Sequence, residues 1–184
     1  MLFRSKRRTR RGHLWDILKQ LGFRCTDIGK PTPLDIKQTA PVVAPYEESL
    51  ARVLAEFGRT EDLIVASFLD PATDAFRAFA PSVPTSAGTM ATAAFWQAVN
   101  QGGDIPETPT VAYQVPERQG DLVIVNQAFV DAAHANGKAV HVWTINDPSA
   151  MERLLGLGVD GIISDVPTTL CEVLGSAGVA WNGE

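Results

Sequence analysis

The segment 138–167 constrains the fold of this chain more than any other part of its sequence. Residues 139–145 form a short run rich in β-branched and aromatic side chains, which predicts a strand. Asp147 and Pro148 follow as the predicted cap and first residue of a helix. A second strand is predicted near 160–164. A strand, a capped helix and another strand in so short a segment predict a right-handed parallel βαβ unit.

The same alternation extends over most of the chain. Helices are predicted over 46–57, 89–101 and 126–137, and Asp70 with Pro71 is predicted to cap another. Repeated βα units favour a parallel sheet covered by helices, and no Asn-Gly hairpin is predicted. Six strands are predicted in all, near 34–37, 63–68, 83–87, 110–115, 139–145 and 160–164.

Two motifs in the last third of the chain carry a family resemblance. Residues 140–146 read Val-His-Val-Trp-Thr-Ile-Asn, and residues 157–165 read Leu-Gly-Val-Asp-Gly-Ile-Ile-Ser-Asp. Together they resemble the last two strands of the glycerophosphodiester phosphodiesterase family. The resemblance extends over about 34–175 and implies an α/β fold, an incomplete TIM-type (βα) barrel with about six parallel strands. It also implies a phosphoric diester hydrolase that converts a glycerophosphodiester and water into an alcohol and a glycerol phosphate.

The resemblance suggests four site residues. Asp35 and Lys37 match the family's acid-x-Lys strand, so the resemblance makes Asp35 a metal ligand and Lys37 a catalytic residue near the phosphate. From the residues alone, an acid and a base at i and i+2 share one face of a strand, and a surface ion pair is the alternative. Phe68 and Trp143 match substrate-binding positions, with Phe68 on the glycerol side. For both, a core aromatic is the alternative.

Several family motifs have no counterpart in this sequence. In the family, the first two strands carry His-Arg-Gly and Glu-x-Asp, followed by a His-Asp. These supply the general acid and base and most ligands for Mg²⁺ or Ca²⁺. No acidic-x-acidic pair occurs among the 184 residues, so we expect the first two strands to be missing. Two functions therefore stay open: a metal-dependent phosphodiesterase, and a catalytically inactive, truncated or degenerate barrel.

Three other polar residues lie at or near the ends of the last two predicted strands. His141 precedes Trp143 by two residues, which places both on one face of the strand. Of His141 and Asn146, Asn146 is the better site candidate, because it lies nearer the end of the strand where barrels place their chemistry. Asp165 ends the last strand, where it either supports the site indirectly or caps the following helix.

The charge of the chain is unevenly distributed. Six basic residues and no acid occur in the first eleven residues, although the whole chain has a net charge of −5. We divide the chain into a basic arm with a short helix over 1–33 and a barrel domain over 34–184. The arm could bind an anionic partner, either nucleic acid or lipid, and a solvated tail is the alternative.

The length and the cysteines bear on assembly and location. A complete (βα)₈ barrel needs at least about 200 residues, which this chain does not reach. Open strand edges near 34–37 and 160–164 therefore predict self-association. Cys25 and Cys171 form no metal-binding or disulfide spacing, and we predict two free thiols in a cytoplasmic protein without a signal peptide.

Overall fold

The computed structural model of the protein describes residues 32–36, 46–61 and 63–179, and of the first strand it describes only the side chain of Ile36. The basic arm, the short helix predicted within 1–31 and Lys37 lie outside the described residues. No helix in the described ranges is long and apolar enough to cross a membrane. The strands are β1 (Thr32–Ile36), β2 (Leu63–Ser67), β3 (Ser86–Ala87), β4 (Ala112–Pro116), β5 (Arg118–Gln119), β6 (Leu122–Val123), β7 (Ala139–Trp143) and β8 (Gly161–Ile162). The helices are α1 (Tyr46–Glu56), α2 (Asp70–Phe79), α3 (Thr89–Gln101), α4 (Gln127–Ala135), α5 (Pro148–Gly156) and α6 (Pro167–Ser176).

The six predicted strands are present and all pair in parallel. β1 pairs with β2, and β3, β4, β7 and β8 form a second run of neighbours. A parallel bridge between Val65 and Thr85 joins the two runs, so the strand order is β1-β2-β3-β4-β7-β8. Helices connect most successive strands, as parallel strands require. The predicted α/β fold, an incomplete (βα) barrel, is confirmed, although β3 and β8 are shorter than predicted.

One antiparallel hairpin interrupts the βα repeat, and its turn contains no Asn-Gly pair. β5 and β6 pair in antiparallel fashion directly after β4. Gly120 lies in the turn between them with a φ of 60°, a conformation that glycine adopts without strain. The hairpin escaped prediction because each of its strands has only two residues, too few to show alternation.

The helices cover the outer side of the sheet and bury two apolar clusters. The smaller cluster lies between β1, β2, α1 and α2 and includes Leu50, Leu54 and Phe76. The larger one lies between the remaining parallel strands and α3 to α6. At its centre the Phe95 ring stacks on Tyr113 with centroids 4.3 Å apart, and the Phe129 ring meets Phe95 edge-on at 5.0 Å.

Asp70 caps a different helix from the one predicted. It lies inside the first turn of α2, whose cap position is Leu69, so its carboxylate is not placed to cap that helix. Its Oδ2 instead accepts a hydrogen bond from the backbone N–H of Met90 at 2.9 Å, and Oδ1 accepts from that of Ala91 at 3.2 Å. Asp70 therefore caps α3 and connects the loops that follow β2 and β3.

We expect Asp70→Ala to lower the free energy of unfolding by about 1 kcal/mol, because two N–H groups of α3 lose their acceptor. Urea denaturation followed by circular dichroism measures this change. Asp104→Ala, which removes an exposed carboxylate between α3 and β4, is the matched control and should leave the free energy within about 0.5 kcal/mol. Equal values for the two variants would contradict the capping role.

Candidate functional site

Two aromatic rings meet at the carboxyl ends of the parallel strands. Phe68 directly follows β2 and Trp143 is the last residue of β7. Their ring centroids lie 5.4 Å apart, with an edge-to-face angle of 70°. β3 and β4 lie between these strands, so a flat sheet would separate the two residues by about 14 Å, three strand spacings. The sheet therefore curves as a barrel wall does, and the two rings meet on its concave side.

The exposure of the two rings distinguishes them from the core. Phe68 is 45% exposed, so the core alternative for this residue is wrong. Trp143 is half-buried, and it is joined to Thr144 by a cis peptide bond. A substrate that entered at the carboxyl ends of the strands would meet both rings. Their roles as substrate contacts remain predictions.

A pair of polar side chains lies below the aromatic pair on the same face of the sheet. Gln114 of β4 and His141 of β7 are partners in the strand register. The neighbouring residues Val140 and Val142 are fully buried towards the helices, so alternation places His141 and Trp143 together on the other face.

The hydrogen bond between Gln114 and His141 assigns the tautomer of the imidazole. Gln114 Nε2 lies 3.2 Å from His141 Nδ1. In this orientation of the Gln114 amide its nitrogen donates, so Nδ1 is the acceptor and the ring proton is on Nε2. From the sequence alone, Asn146 is a better site candidate than His141. The sequence feature that could have identified this pair is that Gln114 and His141 face the same side of two strands that become neighbours.

Burial favours the neutral form of His141. Desolvation lowers the pKa of the imidazole, and the negative charge of Asp160 opposes this shift to a lesser extent. The Asp160 carboxylate has two hydrogen-bond partners of its own. Its Oδ2 accepts from His134 Nε2 and from the backbone N–H of Val140, both at 2.8 Å.

We expect the folded chain to lose stability as the pH falls below about 6.5, the pKa of an unperturbed histidine. The unfolded chain then binds a proton at residue 141 that the folded chain does not bind, so the free energy of unfolding decreases with decreasing pH. One such proton contributes at most about 1.4 kcal/mol per pH unit. Urea denaturation between pH 5 and pH 8 measures the slope. This slope should be shallower in His141→Gln than in the native chain. An unchanged slope would contradict a lowered pKa of His141.

The loops after β7 and β8 are bonded to each other through Asn146. Its Oδ1 accepts from the backbone N–H of Asp165 at 2.9 Å, and its Nδ2 donates to the Asp165 carboxylate at 3.2 Å. The alternative that Asp165 caps the next helix is wrong, because the cap position of α6 is Val166. Asn146 and Asp165 therefore support the edge of the site.

Three of the described carboxylates near the carboxyl ends of the strands already have partners. Asp70 caps α3, Glu117 accepts from Arg153 at 2.5 Å, and Asp165 accepts from Asn146. No group of three or more His, Cys, Asp or Glu residues within the described ranges could hold a metal ion. Mg²⁺ and Ca²⁺ prefer six or more oxygen ligands. The described residues therefore do not by themselves form the divalent-metal site that the family resemblance implies.

The two predicted residues of the acid-x-Lys strand are only partly described. Asp35 lies in β1, in register with Ala66 of β2, so its backbone is adjacent to the strand that leads to Phe68. Its side chain is outside the described part of the chain, as is all of Lys37. Metal binding by Asp35 and phosphate contact by Lys37 stay predictions.

Comparisons with known proteins place this chain in a family. Residues 14–169 match the model of the Glycerophosphoryl diester phosphodiesterase family. A protein of Mycobacterium tuberculosis named "Probable glycerophosphodiester phosphodiesterase 2" is 41% identical over 70 residues, 38% of this chain and 26% of the relative. Glycerophosphodiester phosphodiesterases of known structure share the fold. One from Parabacteroides distasonis has a TM-score of 0.57 at 17% identity, over 79% of this chain and 58% of that one. The one from Agrobacterium tumefaciens has a TM-score of 0.54 at 14% identity, over 78% and 55%.

These matches show which family the chain belongs to, but they do not show its activity. The chain spans about a quarter of the mycobacterial relative and a little more than half of each of the two solved chains. The family match, in contrast, covers most of the present sequence, including both motifs of the last third. The chain therefore belongs to the glycerophosphoryl diester phosphodiesterase family.

Proposed function

We propose that this chain is a phosphoric diester hydrolase that converts a glycerophosphodiester and water into an alcohol and a glycerol phosphate. The observation that carries the proposal is the Phe68–Trp143 pair at the carboxyl ends of β2 and β7. Enzymes with this barrel architecture place their chemistry at that end of the strands. Family membership supports the choice of reaction.

The aromatic pair has the geometry of a wall for a small amphipathic group. Its two rings meet edge to face, so together they present a corner of apolar surface rather than a single plane. Packing the carbon chain of glycerol against this corner would bury apolar surface and leave its hydroxyl groups free to bond elsewhere. We assign Phe68 and Trp143 to substrate binding on this basis.

Asp35 and Lys37 complete the proposed site. The ammonium group of Lys37 would contact the phosphate, where a point charge stabilises the negative charge that builds up during hydrolysis. Asp35 would hold Mg²⁺ or Ca²⁺ together with ligands from outside the described residues. When bound, such an ion polarises the phosphodiester. The described residues do not supply its other ligands.

Hydrolysis of glycerophosphocholine by the purified chain tests the proposal. Release of glycerol phosphate should occur with Mg²⁺ or Ca²⁺ and stop with EDTA. It should fall strongly in Asp35→Ala and Lys37→Ala but not in Asp104→Ala, which removes an exposed carboxylate outside the proposed site. If a chain shown to be folded by circular dichroism releases no product with either ion, the proposal is wrong and the inactive-barrel alternative holds.

Three further predictions concern the surroundings of the enzyme. We propose that copies of the chain associate through the edges at β1 and β8, which have no second neighbouring strand within the described residues, because backbone groups there can pair with another strand. We also propose that the basic arm, which precedes the barrel domain at 34–184, binds an anionic partner in the cytoplasm. Such binding would weaken steeply with salt.

A further inference from the structure

His141 offers a hydrogen-bond donor that nothing else in the described part of the chain uses. Its Nδ1 accepts from Gln114, which leaves the proton on Nε2. No hydrogen bond to Nε2 occurs among the described residues. Among the described residues, the Tyr113 hydroxyl is the fully buried side-chain polar atom that lacks a hydrogen-bond partner. Nε2 of His141 also lacks a partner but does not fall in this class, so it is not fully buried. An N–H that is held in place yet open is available to a ligand.

The ring that carries this donor is fixed from two sides. Gln114 holds Nδ1 from the neighbouring strand β4. On the other side, Gly161 of β8 lies directly against the ring, and a Cβ at that position would be 2.9 Å from His141 Cδ2. The donor direction is therefore set before any ligand arrives, which reduces the entropy that binding must overcome.

The donor lies where a substrate held by the aromatic pair would end. His141 is two residues from Trp143 on the same face of β7, about 7 Å deeper along the strand. That distance is comparable to the length of a glycerol phosphate lying along the strand. A group packed against Trp143 and Phe68 could therefore reach Nε2 with a polar atom.

We propose that His141, acting through its Nε2–H, binds a hydroxyl oxygen of the substrate's glycerol group, and that Gln114 positions it by holding the required tautomer. The inference rests on the proposed function, since it assumes a glycerol phosphate in this site. A neutral donor suits a hydroxyl oxygen, whereas a phosphate is better matched by a cation such as Lys37. Protonation of His141 would place two donors opposite each other at Nδ1, so Gln114 opposes the charged form.

Isothermal titration calorimetry of the full chain with two probes, glycerol 3-phosphate and inorganic phosphate, tests this role in the presence of Mg²⁺. His141→Phe should weaken binding of glycerol 3-phosphate by about threefold to tenfold, the value of one neutral hydrogen bond. Binding of inorganic phosphate should not change, because the lost donor serves the glycerol group. His141→Gln should restore affinity, since its amide N–H reaches about the position of Nε2.

A second variant examines the tautomer directly. In Gln114→Glu the carboxylate can only accept, so the proton moves to Nδ1 and Nε2 ceases to be a neutral donor. At a pH where the ring stays neutral, we expect the ¹⁵N chemical shifts of His141 to exchange between its two ring nitrogens. We also expect glycerol 3-phosphate to bind more weakly by a factor similar to that in His141→Phe. If Gln114 only packs against its neighbours, Gln114→Glu will show neither change, and the positioning role is wrong.

The outcomes separate this inference from the proposed function. If the native chain binds glycerol 3-phosphate and His141→Phe binds it equally well, the role of His141 is wrong and the proposed function stands. If His141→Phe weakens both probes equally, the donor does not serve the glycerol group and the inference is overturned. If the native chain binds neither probe, the proposed function is wrong and the inference falls with it.

Discussion

Phe129→Ala should lower the free energy of unfolding by about 3–5 kcal/mol, the usual range for removing a fully buried phenylalanine. Phe129 has no exposed surface and lies at the centre of the larger cluster. Its ring contacts Phe95 of α3 with centroids 5.0 Å apart and Tyr113 of β4 at 5.6 Å. Its removal would leave a cavity between a strand and two helices, and the stacked Phe95–Tyr113 pair would hinder collapse of that cavity.

Urea denaturation of the native and variant chains measures this loss, with the same denaturant slope required for the comparison. Met90→Ala is the matched control, since Met90 is 73% exposed and should contribute within about 0.5 kcal/mol. A loss below about 1 kcal/mol in Phe129→Ala would mean that the aromatic cluster is not the centre of the core.

Gly161→Ala should cost about 1–3 kcal/mol even though it adds a single methyl group. The new Cβ would lie 2.9 Å from His141 Cδ2 and 3.4 Å from Cγ, closer than carbon atoms pack. The ring cannot withdraw easily, because it is hydrogen-bonded to Gln114 on its far side. We expect the substitution to displace His141 and therefore also to weaken binding of glycerol 3-phosphate.

A double-mutant cycle isolates the cause. In a His141→Ala background the space in front of residue 161 is empty, so Gly161→Ala should cost much less there, and the coupling energy should exceed about 0.5 kcal/mol. Gly175→Ala is the control, since nothing lies within 4 Å of a Cβ at this helical position. It should leave stability unchanged or raise it by about 0.5–1 kcal/mol. Additive effects at 161 and 141 would contradict the contact.

The order of elements could be predicted from the sequence because each signal was local. The run 139–145, the cap at Asp147 and Pro148 and the following apolar spacing lie next to one another in the chain. The structure confirms β7 and α5 there, with Asp147 Oδ2 accepting from the N–H of Ala150 at 2.9 Å. Local capping and periodicity are the kinds of information that a sequence carries directly.

The contacts that define the site were less accessible because they join residues far apart in the chain. Gln114 and His141 become partners only after β4 and β7 pair, and Asp70 reaches α3 only because the β2 and β3 loops are adjacent. The Phe68–Trp143 contact depends on the curvature of the whole sheet. The family resemblance pointed to both aromatic residues, but neither periodicity nor composition predicts that their rings touch.

The fluorescence of Trp143 gives the most direct test that the aromatic pair binds the substrate. In a variant with Trp15, Trp96 and Trp181 replaced by phenylalanine, Trp143 is the remaining tryptophan. Its emission should change in a saturable way as glycerol 3-phosphate is added, and Phe68→Ala in the same background should weaken the apparent affinity. The matched control retains only Trp96, whose indole N–H donates to the Val123 carbonyl at 3.1 Å, and it should not respond. No change in Trp143 emission at concentrations where calorimetry detects binding would contradict the account, because the ligand would then bind elsewhere.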